Sequence, residues 1–260
     1  MFIKMTLNVL LLAAGIGTRL RPITDTVPKC MVPIMGRPLL GYWIELLFSK
    51  KIKAPVGPIN KVFINTHYLA ESVNKYVNTS AHLDKLSTIH EEVLLGTAGT
   101  LVKHISKFKG HDLLLAHADN LTLFDVNAFV AKHQNRPANC IATMMTFKTD
   151  DPQSCGIVEL DSQGLALSFH EKVQNPPGNL ANAAVFLFSS EAIETIERMS
   201  LNIELFDVSL DIVPSFLGKM STYQNSIYHR DIGNTLSLAE AEKEFPRIYQ
   251  AFKQQPELLH

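Results

Sequence analysis

The sequence Leu10-Leu11-Leu12-Ala13-Ala14-Gly15-Ile16-Gly17-Thr18-Arg19-Leu20-Arg21-Pro22 places an apolar run directly before a turn that contains two glycines. The run predicts a buried strand, Val9 to Ala14. A turn after such a strand leaves backbone N–H groups free to bind an anion. Arg19 and the nearby Lys29 add positive charge to this turn. The stretch therefore predicts an α/β fold with an anion-binding loop at the end of its first strand.

Two common phosphate-binding motifs do not fit this loop. A dinucleotide fingerprint, G-x-G-x-x-G, needs glycine at position 20, where the chain has Leu20. A P-loop needs Gly-Lys-Ser/Thr after four intervening residues, and no such run occurs. A bare Gly-x-Gly is more often a tight turn without a ligand. The functional interpretation depends on the longer pattern, which is G-x-G-T-R-L-x-P over Gly15–Pro22, then Pro28-Lys29 and Val32-Pro33.

Composition limits the classes of partner. The net charge of −1 gives no electrostatic reason to expect nucleic acid or an acidic membrane surface as a partner. The three cysteines, Cys30, Cys140 and Cys155, form no Cys-x-x-Cys pair, which suits a reducing cytoplasm. The apolar stretch Leu7 to Ala14 is too short for a membrane span and lacks a cleavage-type ending, so it predicts a strand rather than a signal peptide.

Apolar segments alternate with helical patterns along the chain, which is typical of βαβ units around a mixed, mostly parallel central sheet flanked by helices. A length of 260 residues favours one large domain. Further strands are predicted at Val62–Asn65, Thr88–Glu91, Leu113–Ala116, Ile141–Phe147, Ile157–Leu160, Ala166–Glu171, Ala183–Phe188 and Ser221–Tyr228. Helices are predicted after Pro38, over Leu69–Val77, from Gly96, through Ile193 and Ile196, and over Leu236–Phe252. Lys53 to Asn60 predicts a loop, and Asp161 to Gly164 a hairpin turn.

Two aspartates are candidate metal ligands. Asp119 follows the apolar strand Leu113–Ala116, and α/β sheets place ligand-binding groups at such strand ends. Asp231 is the second candidate. Mg²⁺ favours one or two carboxylates with waters and phosphate oxygens. Taken alone, each aspartate is more often a cap or turn residue.

The glycine-rich pattern and these later segments resemble the sugar-1-phosphate nucleotidylyltransferases, in the order of that family's motifs from Leu10 through Asn234. The resemblance implies a Rossmann-like nucleotidyltransferase fold over 1–260, with a nucleotide-binding half at 1–120, a sugar-phosphate-binding half at 121–235 and a helical tail at 236–260. It implies transfer of a nucleoside monophosphate from a triphosphate to a sugar-1-phosphate, with release of pyrophosphate. No hexapeptide β-helix pattern follows, although some members of the family carry one.

The resemblance also assigns roles by position. Arg19, Lys29 and Lys172 would act in catalysis, and Asp119 and Asp231 would hold Mg²⁺. The nucleotide would contact Leu12, Ala13, Ala14, Gly15, Gly17, Thr18, Arg19, Lys29, Glu92, Gly96, Thr97 and Ala98. The sugar phosphate would contact Asn120, Gly156, Glu171, Lys172 and Asn182. Without the resemblance, Gly96–Gly99 would be an ordinary helix start, Gly156 a strand-start glycine, and Glu171-Lys172 an exposed charge pair.

Three residues depart from the family pattern: Ala118 and Ala184 replace glycines, and Cys30 replaces a commoner proline. Cys30 predicts a small packed thiol rather than a reactive one. The spacing of the histidines, among them His104, His111 and His117, fits no recognised zinc pattern.

The form Gly96-Thr97-Ala98-Gly99 looks more like the guanylyltransferases for mannose-type sugars, so GTP with mannose- or heptose-1-phosphate is the first expectation. The alternative is UTP with a hexose- or amino-sugar-1-phosphate. Other classes are a nucleotide-sugar-binding regulatory protein without turnover, a scaffold with a vestigial pocket, and a glycosyltransferase, whose Asp-x-Asp motif is absent. A homodimer is common in the family, but the sequence has no interface signature.

Overall fold

The computed structural model describes residues 6–48, 59–204 and 206–254. In chain order its strands and helices are β1 (Leu7–Leu12), β2 (Pro33–Ile34), β3 (Arg37–Pro38), α1 (Leu39–Phe48), β4 (Ile59–Thr66), α2 (Ala70–Asn78), β5 (Leu86–His90), α3 (Gly96–Lys103), β6 (Asp112–His117), β7 (Asn120–Leu123), α4 (Val126–Gln134), β8 (Ala142–Lys148), β9 (Gly156–Leu160), β10 (Ala166–Glu171), β11 (Leu180–Phe188), α5 (Ser190–Ser200), β12 (Met220–Gln224), β13 (Tyr228–Asp231) and α6 (Thr235–Gln254).

The chain forms two compact units that alternate along the sequence. Among the described residues, the first unit takes 6–8, 95–116, 129–204 and 206–226. The second unit takes 9–48, 59–94, 117–128 and 227–254. The predicted α/β fold, a mixed sheet accompanied by helices, is confirmed.

In the first unit, β11 is the organising strand. It pairs antiparallel with β6, β8 and β9, while β10 continues antiparallel from β9 and β12 lies parallel to β8. Strand β11 is apolar because it is buried on both faces: Val185, Phe186, Leu187 and Phe188 are all fully buried. The predicted core residues Met144 and Met145 in β8 are buried as well.

Strand β11 carries a local irregularity at Ala184. The register against β8 shifts between Asn182 and Phe186, and Ala184 has φ of 52°, in the left-handed region. Its backbone N–H donates to Oδ1 of Asn182 at 2.9 Å. A left-handed conformation costs a residue with a Cβ about 1–2 kcal/mol, which glycine avoids.

Ala184→Gly is therefore expected to stabilise the fold by up to about 1 kcal/mol, because glycine's greater freedom in the unfolded chain offsets part of the relieved strain. Urea unfolding of the variant and the parent measures the difference. Ala183→Gly, at the fully buried neighbouring position without a positive φ, should instead destabilise. Equal destabilisation of both variants would contradict this account.

In the second unit, β1, β4 and β5 lie side by side, and β4 and β5 are parallel. A separate antiparallel pair, β7 and β13, packs with α1 and α6 around one apolar cluster that includes Leu20, Leu121, Ile232 and Phe245. Helix α6 also holds β13 through polar contacts. Glu244 accepts hydrogen bonds from the side chains of Tyr228 and Arg230, each at 2.7 Å.

Most predicted elements are present with ends shifted by a few residues, including the helix after Pro38, the Asp161–Gly164 turn and the C-terminal helix. The first strand ends at Leu12, not Ala14, because the N–H of Ala13 donates to the side chain of Asn65. The strand predicted over Ser221–Tyr228 is wrong. It is two strands, β12 and β13, which belong to different units.

The loop predicted over Lys53 to Asn60 lies outside the described residues except for Ile59 and Asn60, which already belong to β4. The sequence patterns also missed β7 and α4. In the described part of the chain, no helix combines the length and the apolarity that crossing a membrane requires.

Candidate functional site

The loop after β1 is fixed at its start by two backbone contacts. Leu12 accepts a hydrogen bond from the N–H of Ala118 at 2.9 Å. One residue later, Ala13 donates to Oδ1 of Asn65 at 2.6 Å. Leu12, Ala13 and Ala14 are buried, whereas Gly15 and Thr18 are exposed. The chain therefore leaves the core at Gly15, at the point where the sequence predicts an anion-binding loop.

The backbone conformation of this loop requires a glycine at position 17. Its φ is 70°, and a Cβ built on it would lie 3.0 Å from Cβ of Lys29 and 3.0 Å from Cγ2 of Thr24. The carbonyl of Gly17 accepts a hydrogen bond from the Thr24 hydroxyl at 2.7 Å. A side chain at position 17 would thus be strained and would also press on Lys29.

Lys29 lies between the two predicted metal ligands. Its Nζ is 2.6 Å from Oδ2 of Asp119 and 3.4 Å from Oδ1 of Asp231. The side chains of Lys29 and Asp119 are largely buried, with 11% and 18% of their surface exposed, whereas Asp231 is 59% exposed. Lys29 and Asp119 therefore form the enclosed part of this ion cluster, and Asp231 forms its solvent side.

The charged neighbours of Lys29 and Asp119 together shift the pKa of each group more than burial does. Burial acts to lower the pKa of Lys29, but the carboxylates of Asp119 and Asp231 raise it above its ordinary 10.5. Burial acts to raise the pKa of Asp119, but the Lys29 ammonium, with a smaller contribution from His117, lowers it below its ordinary 3.8. Both groups are therefore charged at neutral pH.

Strand pairing explains why two aspartates so distant in sequence meet. Asp119 lies between β6 and β7, and Asp231 ends β13. Strands β7 and β13 are antiparallel, with Asp231 opposite Asn120. Asn120 itself is buried, and its carbonyl accepts a hydrogen bond from the Trp43 indole at 3.0 Å. The antiparallel register thus places Asp231 beside the residue that follows Asp119.

Arg19 belongs to the same cluster of charges. A Cβ built on Gly233 would lie 2.9 Å from Oδ2 of Asp231 and 3.3 Å from Nη2 of Arg19, so the guanidinium and the carboxylate lie beside one glycine. The neighbours of both charged residues, Leu20 and Ile232, are fully buried in the same apolar cluster. This core holds the exposed Arg19 and Asp231 at the same edge of the unit.

Gly15 forms an open face over the ion cluster. A Cβ built there would lie 3.7 Å from Oδ2 of Asp119 and 4.0 Å from Cδ of Lys29, which is ordinary contact distance. The space beside Gly15 that a Cβ would fill, called the cradle below, is thus bordered by the carboxylate of Asp119 and the aliphatic part of Lys29. Cys30, beside it, is fully buried with its pKa raised by burial to about 12, so it is a packed thiol as predicted.

The donor set fits a divalent cation bound together with phosphate. Among residues 6–48, 59–204 and 206–254, no three His, Cys, Asp or Glu side chains are grouped to hold a metal by themselves. Asp119 and Asp231 nevertheless converge on one cation, the ammonium of Lys29. Two carboxylates completed by waters and phosphate oxygens are the arrangement that Mg²⁺ prefers.

The predicted sugar-phosphate residues of the first unit form their own group. A Cβ on Gly156 would lie 2.4 Å from Cζ of Phe169 and 2.5 Å from Oε2 of Glu171, so these side chains cover this glycine. Lys172 has φ of 49°, its side chain is 65% exposed, and its Nζ is 3.3 Å from Oε1 of Glu171. Asn182 binds Ser209 through Nδ2 at 3.3 Å, besides its contact with Ala184.

The segment Gly96-Thr97-Ala98 begins α3 and contacts a later loop of the first unit. Gly96 has φ of 75°, and a Cβ there would lie 2.3 Å from the carbonyl oxygen of Phe206. That oxygen accepts from the N–H of Ala98 at 3.0 Å, and the Thr97 hydroxyl donates to Oδ2 of Asp207 at 3.1 Å. Glu92, an exposed residue of the second unit, lies outside this group.

Sequence reasoning missed Asn65 and Gly233 of the second unit, and it assigned no contact to Glu91, which precedes the Gly96–Gly99 segment and is the partner of Asn65. Asn65 stands at the carboxyl end of β4, just as Asp119 follows β6, so the same strand-end rule could have found it. Glu91 directly follows β5. Gly233 gives no signal until the position of Asp231 is known.

Known proteins of similar sequence include enzymes named for sugar-1-phosphate substrates. A catalytic subunit beta of mannose-1-phosphate guanylyltransferase from Drosophila pseudoobscura pseudoobscura is 30% identical over 201 residues, which are 75% of this chain and 51% of that protein. A UTP–glucose-1-phosphate uridylyltransferase from Synechocystis is 26% identical over 225 residues, which are 81% of this chain and 55% of that protein. The chain thus spans about half the length of these relatives.

A solved structure from Bacillus anthracis, described as a candidate glucose-1-phosphate thymidylyltransferase in complex with sucrose, superposes with a TM-score of 0.77. It is 21% identical, and the match covers 91% of this chain and 94% of that one, which shows the shared fold. The family model for nucleotidyl transferases matches residues 8–247. The chain belongs to the nucleotidyl transferase family.

Proposed function

We propose that this protein is a sugar-1-phosphate nucleotidylyltransferase. The observation that carries the proposal is the ion cluster of the second unit, in which Lys29 is enclosed by Asp119 and Asp231 beside the open face of Gly15. A phosphate-binding loop, a buried cation and a pair of carboxylates are the groups that transfer between phosphates needs. The named relatives act on sugar-1-phosphates, which supports the same substrate class here.

The reaction needs positioning and charge neutralisation more than proton transfer. A phosphate oxygen of the sugar-1-phosphate attacks the α-phosphorus of the nucleoside triphosphate, and the bond from that phosphorus to the bridging oxygen of pyrophosphate breaks. The attacking oxygen is already an anion at neutral pH, so no strong general base is required. The barrier comes from repulsion between the substrates and from charge on the leaving group.

Each charged residue has a proposed part in this reaction. The backbone of Ala13 to Thr18 would bind the triphosphate, and Arg19 and Lys29 would neutralise its β- and γ-phosphates. Asp119 and Asp231 would hold Mg²⁺, which, when bound, neutralises phosphate charge. The carboxylates of Asp119 and Asp231 raise the pKa of Lys29, so its ammonium is charged at neutral pH before the substrates bind. Lys172 of the first unit would contact the phosphate of the sugar.

The contacts of the remaining predicted residues stay predictions. Glu92 and Gly96-Thr97-Ala98 would contact the base, and Asn120, Gly156, Glu171 and Asn182 the sugar phosphate. GTP with mannose- or heptose-1-phosphate is the first choice, supported by the guanylyltransferase relative. UTP is the alternative, supported by the uridylyltransferase relative. We also propose a homodimer, and a cytoplasmic location in line with three free cysteines.

A crossed panel tests the reaction and the substrates together. Four nucleoside triphosphates are incubated with several sugar-1-phosphates and Mg²⁺, and released pyrophosphate is measured. We expect one triphosphate to be favoured, with release that depends on the sugar phosphate. If calorimetry detects nucleotide-sugar binding but no pair releases pyrophosphate, the protein is instead a binding protein without turnover. Absence of both activities would contradict the proposal altogether.

Gly15→Ala is expected to weaken triphosphate binding about tenfold or more without lowering stability. The added methyl group fits the ligand-free protein at ordinary contact distance, but it fills the cradle over Asp119 and Lys29 that a phosphate would enter. Calorimetry with the favoured triphosphate and thermal unfolding measure the two effects. Gly178→Ala, which meets no atom within 4 Å, is the matched control. Unchanged binding in the Gly15 variant would remove this loop from the proposed site.

A further inference from the structure

We infer that Asn65 is a positioning residue that orients the first amide of the triphosphate loop, and that Glu91 sets the orientation of Asn65. The inference rests on the proposed function, since it concerns nucleotide binding by that loop. All three residues, Ala13, Asn65 and Glu91, belong to the second unit. None of the strand or glycine patterns assigned Asn65 or Glu91 a part in the site.

The hydrogen bonds allow one arrangement of the Asn65 amide. Ala13 approaches with its backbone N–H, which can only donate, so the atom of Asn65 that it meets at 2.6 Å is the acceptor Oδ1. The amide nitrogen then points the other way and donates to Oε1 of Glu91 at 3.1 Å. Because Oε1 of Glu91 accepts this bond, the contact favours this orientation of the amide over its flipped form, in which two oxygens would face each other.

Burial makes this chain of contacts rigid. Asn65 is 3% exposed and Glu91 is 1% exposed, and Ala13 is buried as well. Glu91 is itself held through its backbone, because its N–H donates to the carbonyl of Thr66 at 2.8 Å and its carbonyl oxygen lies 2.8 Å from Nδ1 of His67. Buried polar groups that are mutually bonded fix one conformation, because breaking any of them leaves a buried group without its partner.

The position of the contact gives it a functional consequence. Ala13 is the first residue after β1 and lies two residues before Gly15, whose open face borders Asp119 and Lys29. The bond to Asn65 takes the N–H of Ala13 away from strand pairing and so fixes where the chain turns out of the sheet. The same pair connects this turn to the residue after β5, which precedes Glu92.

A pair of variants that moves the carboxyl group to position 65 and the amide to position 91 tests the inference. Asn65→Asp keeps the acceptor for Ala13 but sets a second carboxylate against Glu91, so we expect triphosphate affinity to fall about tenfold or more. Adding Glu91→Gln to that variant restores one donor and one acceptor across the contact, because the new glutamine amide can donate to the new aspartate. The double variant is expected to recover to within about threefold of the parent.

The measurements separate positioning from general stability. Calorimetry with GTP and with UTP, each with Mg²⁺, gives the affinities, and steady-state kinetics gives KM for both substrates. We expect KM for the triphosphate to rise in Asn65→Asp while KM for the sugar phosphate stays within about twofold. Asn78→Asp, at the exposed end of α2, is the matched control for the same chemical change.

Each outcome decides the inference. Parental affinity in Asn65→Asp, no recovery in the double variant, or an equal rise of both KM values would overturn it. If Asn65→Asp does not fold, the double variant decides alone, since a folded protein of parental affinity supports the exchange and any other result overturns it. Failure of the proposed function is distinguishable, because the parent protein would then bind neither triphosphate.

Discussion

Lys29→Met is expected to lower turnover about 10³-fold and, in the absence of metal, to destabilise the fold by about 2 kcal/mol. The substitution keeps an unbranched apolar side chain, one atom shorter, but removes the charge that Asp119 and Asp231 share. Asp119 is largely buried, so it would be left as an uncompensated carboxylate, whereas the solvent exposure of Asp231 limits the cost. The expected loss of turnover follows from the proposed role of Lys29 in neutralising the triphosphate.

The same variant is expected to bind Mn²⁺ about tenfold more tightly than the parent when no nucleotide is present. In the parent, the ammonium of Lys29 occupies the position between the two carboxylates and repels a second cation. Titration calorimetry with Mn²⁺, together with urea unfolding with and without the metal, checks both effects. Lys75→Met, on the exposed face of α2, serves as the control. Weaker Mn²⁺ binding in the Lys29 variant would show that the lysine does not compete for this position.

The sequence predicts the parts of the fold and site that local patterns determine. Apolar runs locate the strands, and the pattern from Gly15 to Pro22 locates the loop, since strand burial and turn chemistry are local properties. The resemblance to a family then supplies Asp119, Asp231 and Lys29 as a set. The structure brings these three together in one unit.

The sequence could not predict which segments, distant along the chain, contact each other in the fold. Strand β7 is only four residues long and gives no alternating pattern, yet its pairing with β13 is what sets Asp231 opposite Asn120. The bond from Ala13 to Asn65 spans 52 residues and ends the first strand early. The arrangement of Gly96 against Phe206 likewise depends on a loop more than 100 residues away. Each of these contacts depends on register, which composition and spacing leave open.

Comparing Asp119→Asn with Asp231→Asn is expected to separate metal binding from stability. Each variant removes one of the two carboxylates, so each should lower Mg²⁺-dependent turnover about 10²- to 10³-fold and weaken Mn²⁺ binding. Asp119→Asn should also destabilise the ligand-free fold by about 1–2 kcal/mol, because it removes the enclosed half of the pair with Lys29. Asp231→Asn should change stability little, since Asp231 is 59% exposed and screened by water.

The pH dependence of stability provides a separate check on Asp119. Because its pKa is lowered in the folded state, its contribution is present above the ordinary value of 3.8 and is lost as pH falls through the folded value. The pKa of Lys29 is raised, so its contribution is present below 10.5 and is lost as pH rises through the folded value. The stability difference between the parent and Asp119→Asn should therefore stay constant between about pH 5 and pH 9 and shrink in stronger acid. Urea unfolding at several pH values measures it. A difference that already vanishes at pH 6 would mean that Asp119 is not held as a carboxylate by Lys29, and the ion cluster would then not be the preformed site for metal and phosphate.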